Sequence, residues 1–163
     1  VYDPTLRRNV RQSTAPVSVT DPTQRSVTLT GLTNGSWYDF TITAFNTVAW
    51  TAVNTNNVKN GGMVKPSGLP EVITAIQTVA SYNKVIVRWN RGNNGGATQT
   101  FSVSMYKDGQ LVMVRSNIKD NHLFPSTTFT SLTNGSSYTF TVTSTNQNGS
   151  VTSALSSVAI PNR

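Results

Sequence analysis

Two stretches of the chain repeat each other at a separation of 100 residues. Thr28-Leu-Thr-Gly-Leu-Thr-Asn-Gly-Ser-Trp-Tyr-Asp-Phe-Thr-Ile-Thr-Ala-Phe-Asn46 aligns with Thr128-Phe-Thr-Ser-Leu-Thr-Asn-Gly-Ser-Ser-Tyr-Thr-Phe-Thr-Val-Thr-Ser-Thr-Asn146, with 12 of 19 positions identical. A period of that size is a domain length, so the 163 residues must hold more than one copy of one unit but fewer than two full copies. Tyr138, Phe140 and Val142 alternate with threonines, and Tyr38, Phe40 and Ile42 alternate with Asp39, Thr41 and Thr43. Period two places one face against a core and the other toward water, which makes both segments half-buried strands. Trp37 falls outside the in-facing register of Tyr38.

The remaining pattern is also that of strands. Val85, Val87 and Trp89 alternate with Ile86 and Arg88, and Phe101, Val103 and Met105 with Ser102 and Ser104. Lys107-Asp-Gly-Gln110 reads as a hairpin turn, with Leu111 to Val114 as the return strand. Val158 and Ile160 form the closing strand before Pro161. Residues 90–98, rich in Gly and Asn, form a loop. No amphipathic helix of useful length occurs. Short strands punctuated by turns predict an all-β, immunoglobulin-like sandwich. Asn60-Gly-Gly-Met-Val-Lys-Pro-Ser-Gly-Leu-Pro70 reads as a linker over 61–70, with the domain boundary near Val64.

At this point the chain resembles the fibronectin type III module. The resemblance rests on Leu32…Tyr38 and Leu132…Tyr138, each a Leu followed by a Gly-containing turn and a Tyr six positions on, running to Asn46 and Asn146. Trp89 in Val-Ile-Val-Arg-Trp matches the family's core tryptophan, and Leu69-Pro70 its first strand. The resemblance implies a tyrosine corner at Tyr38 and Tyr138, with the phenol bonded to nearby backbone. It implies a structural core of Leu32, Tyr38, Phe40, Trp89, Leu132, Tyr138 and Phe140. It implies a complete module over 66–163 and a partial one over 1–60 holding only the C-terminal strands. Residues 1–60 carry no counterpart of Trp89 or its strand. The first copy is therefore expected to be completed by strands supplied from upstream or by a neighbouring subunit. The absence of a starting Met leads to the expectation of a processed or excised piece of a longer protein.

Composition bears on function. There is no cysteine, one histidine (His122) and six acidic residues, so material for metal or acid–base chemistry is scarce. His122 has only Asp120 near it in sequence. Asp3, Asp21, Asp39, Glu71, Asp108 and Asp120 are isolated, unlike the facing carboxylates of a glycosidase. No catalytic residue, metal ligand or cofactor is expected. Net charge is +7, with the cations scattered except for Arg7, Arg8 and Arg11. Together with Arg25 they offer attraction to acidic or glycan surfaces without a nucleic-acid motif. No apolar run has the length of about 20 residues that a membrane helix needs. Asn34, Asn134 and Asn148 each head an Asn-Gly-Ser sequence, which fits both N-glycosylation and plain turn chemistry. Trp37, Phe45, Trp50 and Tyr106 are rings that either stack on sugars or pack against further strands. Arg91-Gly92-Asn93 departs at its third residue from the integrin-binding tripeptide of one family member and reads as a flexible loop.

The expected role is thus non-catalytic: spacing, display or protein–protein contact in a virion-surface, filament or other extracellular assembly, through edge strands or strand donation. The alternatives are a carbohydrate- or cell-wall-binding accessory module of a secreted enzyme, and a host-receptor adhesion module.

Overall fold

The computed structural model describes residues 2–3, 8–9, 17–21, 23–43 and 58–162. None of these is helical, so no helix among them is long and apolar enough to cross a membrane. The chain divides into Val1–Pro66 and Ser67–Arg163.

In Ser67–Arg163, two antiparallel sheets enclose a core. One has the order β5 (Ile76–Ser81), β6 (Lys84–Trp89), β9 (Ser126–Thr130). The other has the order β11 (Gly149–Thr152), β10 (Tyr138–Asn146), β7 (Thr100–Lys107), β8 (Gln110–Lys119). Val85, Val87, Trp89 and Phe129 from the first sheet join Phe101, Val103, Met105, Tyr138, Phe140 and Val142 from the second in one buried cluster. Rings bridge the sheets. Trp89 meets Phe101 edge-on at 5.4 Å, and Phe129 meets Phe140 at 5.2 Å. On the outer face of β10, Thr143 pairs with Thr152 (2.9 Å) and Thr145 with Ser150 (2.8 Å), while Thr141 is buried.

The sharpest fixture lies where the chain crosses from β9 to β10. The phenol oxygen of Tyr138 accepts the N–H of Thr133 at 3.1 Å. Ser131 takes φ 61° and Gly135 φ 81°, both left-handed, to turn the chain there. Gly135 N–H donates to Pro161 O (2.8 Å), tying down the end of the unit. The closing segment differs from the expected register by one residue. Ala159 pairs with Tyr138 and is buried, whereas Val158 and Ile160 point outward. Ahead of that pairing, the hydroxyls of Ser153 and Ser156 accept the N–H groups of Val142 (2.9 Å) and Phe140 (3.0 Å).

In Val1–Pro66, β1 (Tyr2–Asp3) pairs with β2 (Arg8–Asn9), and β3 (Tyr38–Thr43) with β4 (Val58–Val64). The linker reading of 61–64 is corrected here. Those residues end β4, with Tyr38 opposite Val64 and Asp39 opposite Met63. The glycine pair serves a register irregularity between Asp39 and Thr41, where Gly62 takes φ 78°, rather than flexibility. The corner recurs: Tyr38 Oη accepts the N–H of Thr33 (2.8 Å), Gly35 N–H donates to Pro66 O (2.8 Å), and Gly31 and Gly35 take φ 73° and 83°. Asp21 Oδ1 accepts from the N–H and hydroxyl of Thr23 (2.8 and 2.7 Å), and these bonds, the hydroxyl first, hold its carboxyl below the usual carboxylate range.

Leu32, Tyr38 and Phe40, read with their counterparts as core, are only half-buried. No described side chain of Val1–Pro66 is buried. Asn46 and Trp50, with Phe45, Arg7 and Arg11, lie outside the described residues, as does the side chain of Arg8.

Trp89 is 1% exposed. Trp89→Ala is expected to destabilise Ser67–Arg163 by about 3–5 kcal/mol. In a unit of this size each kcal/mol lowers Tm by about 4–8 °C. Thermal unfolding followed by near-ultraviolet dichroism measures it, and an unmoved transition would place Trp89 outside the core.

Candidate functional site

At one end of Ser67–Arg163, four chain segments meet: 67–71, 90–99, 120–125 and 146–149. Strand direction dictates this, since β6, β8 and β10 end there while β7, β9 and β11 begin there. Loops carried on a rigid sandwich are where such a fold displays variable chemistry.

Asparagine amides knit the segments together. Asn146 Nδ2 donates to Gly68 O (2.8 Å) and Asn94 O (2.9 Å), and its Oδ1 accepts the N–H of Asn148 (2.8 Å). Asn148 Nδ2 donates to Ser67 Oγ and Gly68 O, both at 3.0 Å. Glu71 and Asn93 exchange bonds: Glu71 N–H to Asn93 O and Asn93 N–H to Glu71 Oε2, both 2.9 Å. Gly95, at φ 66°, lies so close to the carbonyls of Gly68 and Leu69 that no Cβ fits.

A polar group sits behind this lacing. Gln99, 1% exposed, donates from Nε2 to Arg91 O and to Asp120 Oδ2, both at 3.1 Å. Arg91 reaches Asp120 Oδ1 at 3.7 Å from a half-solvated position. Beside it, an open depression of about 390 Å³ is lined by Arg91, Gly92, Asn93, Asn94 and Leu123. Of these, Leu123 is exposed, as are Phe124 and Leu69 in the neighbouring loop segments. Its chemistry is that of a contact surface: one cation, amides and apolar side chains. His122 is exposed, and among the described residues no three His, Asp or Glu side chains lie together.

The structure scatters the other residues singled out from sequence. Asn148 belongs to the loop end just described. Asn134 lies at the opposite end, its Oδ1 accepting the N–H of Asn83 (2.9 Å) and joining the β5–β6 turn to the β9–β10 crossing. Asn34 is exposed in Val1–Pro66, as is Trp37. Gln99 escaped sequence reasoning because a lone Gln in a Thr-rich stretch carries no pattern. The Arg91–Asp120 pairing escaped it because nothing in sequence links the two.

A second surface is the free side of β8. Among the described residues this strand is an outer strand of its sheet and pairs with β7 alone. Leu111, Val112, Met113 and Val114 are all exposed along it. Arg115 lies over the Phe129 ring at 5.3 Å.

The fibronectin type III domain model matches residues 69–159. No curated protein matches the chain. Among solved structures, the rat CD45 extracellular region, domains d3-d4, superposes with TM-score 0.57 at 15% identity, covering 95% of this chain and 78% of that one. Titin kinase with its flanking domains gives TM-score 0.47 at 18% identity, covering 59% of this chain and 18% of that one. A myokine structure gives 0.47 at 16%, covering 58% and 99%. Domains of this kind are generally non-catalytic interaction or spacer modules.

Gln99→Ala is expected to cost about 1–3 kcal/mol, because it strips the buried Asp120 carboxylate and the Arg91 carbonyl of their donor. Arg91→Ala, removing a long and solvated ion pair, is expected to cost below about 1 kcal/mol. Urea unfolding of both variants checks the order. With the family match covering more than half of its length, the chain belongs to the fibronectin type III family.

Proposed function

We propose that the chain is a non-catalytic contact and spacing module of a larger extracellular or surface assembly, virion surfaces, filaments and adhesins included, and that its neighbours are proteins. The observation that carries this reading is β8. Ten residues long, it has β7 as its one partner strand among the described residues and shows four successive exposed apolar residues. Soluble domains normally blunt such edges with charge, proline or a cover. An edge left apolar is ready to be extended by a strand from another protein. The exposed Leu123, Phe124 and Leu69 of the loop end add further apolar surface, and the net charge of +7 favours acidic partners.

Amine-reactive cross-linking in the native assembly tests the reading. Lys107 and Lys119 flank β8, and cross-links from these two to a neighbouring protein are expected to dominate. Val112→Lys with Val114→Lys, which charges the edge, is expected to abolish them and leave Tm within about 1 °C, as exposed changes do. Cross-links spread evenly over all lysines would overturn the reading. So would retention on insoluble polysaccharide that is lost on Trp37→Ala, since that outcome makes the chain a sugar-binding module.

A further inference from the structure

Gln99 and Asp120 meet where β7 and β8 adjoin, one residue before Thr100 and one after Lys119, which pair. The Gln99 amide has one orientation open to it. Its Nε2 lies 3.1 Å from Arg91 O and 3.1 Å from Asp120 Oδ2. Both neighbours are acceptors, so the nitrogen must face them and the oxygen must face away. The two amide protons are then spent. Gln99 Oε1 has no donor, and neither has Asp120 Oδ1. Both oxygens are shut off from bulk solvent, in a residue 1% exposed and a side chain 8% exposed. Arg91 does not meet the need. Its Nη1 stands 3.7 Å from Asp120 Oδ1, beyond hydrogen-bond length, on a side chain 45% exposed. A buried acceptor without a donor carries its full desolvation cost, and folded proteins rarely leave one so.

We infer that Gln99 and Asp120 hold one buried water, which donates one proton to Gln99 Oε1 and the other to Asp120 Oδ1. Water has two donors, the number of acceptors in need. The groups it bridges are already joined at their other ends by the Nε2–Oδ2 bond, so their free oxygens share one neighbourhood. Its lone pairs are left for the Arg91 guanidinium, and a water between them accounts for the 3.7 Å stand-off. Three partners is the usual number for a buried water. Ions fit less well: an anion would meet two acceptors, and a cation would meet the guanidinium. The consequence is positional. The water adds a link between the 90–99 loop and the 120–125 segment, beside the two bonds of Gln99 Nε2. It also keeps Arg91 off the carboxylate and at the depression that Arg91 lines with Asn93 and Leu123. This site lies inside the loop end and does not rest on the protein-contact reading.

Measurements on the full chain test this. In a crystal structure fine enough to place solvent, one water is expected within about 2.7–3.0 Å of both Gln99 Oε1 and Asp120 Oδ1. In solution, the Gln99 side-chain amide protons are expected to show cross-peaks to water with the sign of a long-lived, buried molecule. Oxygen-17 relaxation dispersion is expected to count one long-lived water fewer in Gln99→Met, which keeps the side-chain length and removes both polar atoms. A gap without solvent between the two oxygens would overturn the inference. So would an Arg91 nitrogen bonded directly to Asp120 Oδ1 in the water's place, or an unchanged water count in a Gln99→Met chain that unfolds as cooperatively as its parent. If that variant does not fold, the crystal structure and the cross-peaks of the parent chain decide.

Discussion

One phenol oxygen fixes where β9 stops and β10 starts. Tyr138 accepts the N–H of a residue five positions earlier, and with that bond made, the chain must cross from one sheet to the other at a set place and angle. The alternation of β10 is then committed. Tyr138, Phe140 and Val142 face inward, and β7 pairs alongside in register. A slip of one residue at the crossing would turn every threonine of β10 into the core. The hydroxyl rows on the outer face and the aromatic contacts between the sheets both follow from that one anchoring.

Much of this was readable from residues. The Leu-to-Tyr spacing, the period-two runs and Trp89 together give the sandwich and most of its inner wall, since each is a local pattern with one physical reading. Pairing between distant segments was not readable. Gly61-Gly62 looks like a hinge when taken alone, yet 61–64 are held in β4 by β3, about twenty residues earlier. The burial of Ala159 follows from its pairing with Tyr138 across the chain, which no alternation rule anticipates. Half-burial of Leu32, Tyr38 and Phe40 shows that an in-facing register alone is not sufficient for burial.

The candidate surfaces were legible in part. A return strand after the Asp-Gly turn could be anticipated, but its ten-residue length, its place at the side of the sheet and the exposure of Leu111 to Val114 emerge only with β7 as its one partner among the described residues. The loop end was seen as a flexible Gly/Asn stretch. In the structure it is tightly held, because Asn146, Asn148, Glu71 and Gln99 satisfy its backbone. Polar residues that look like solvent-loving filler in a string of letters are there the fasteners of a loop.

Gly95 separates what can vary in that loop from what cannot. Its backbone touches the carbonyls of Gly68 and Leu69 with no room for a side chain, so the loop is pinned from behind. Arg91, Asn93 and the 121–124 segment stand in front of that pin with their side chains largely exposed. The side chains in front of the pin can therefore change while the frame behind them stays fixed.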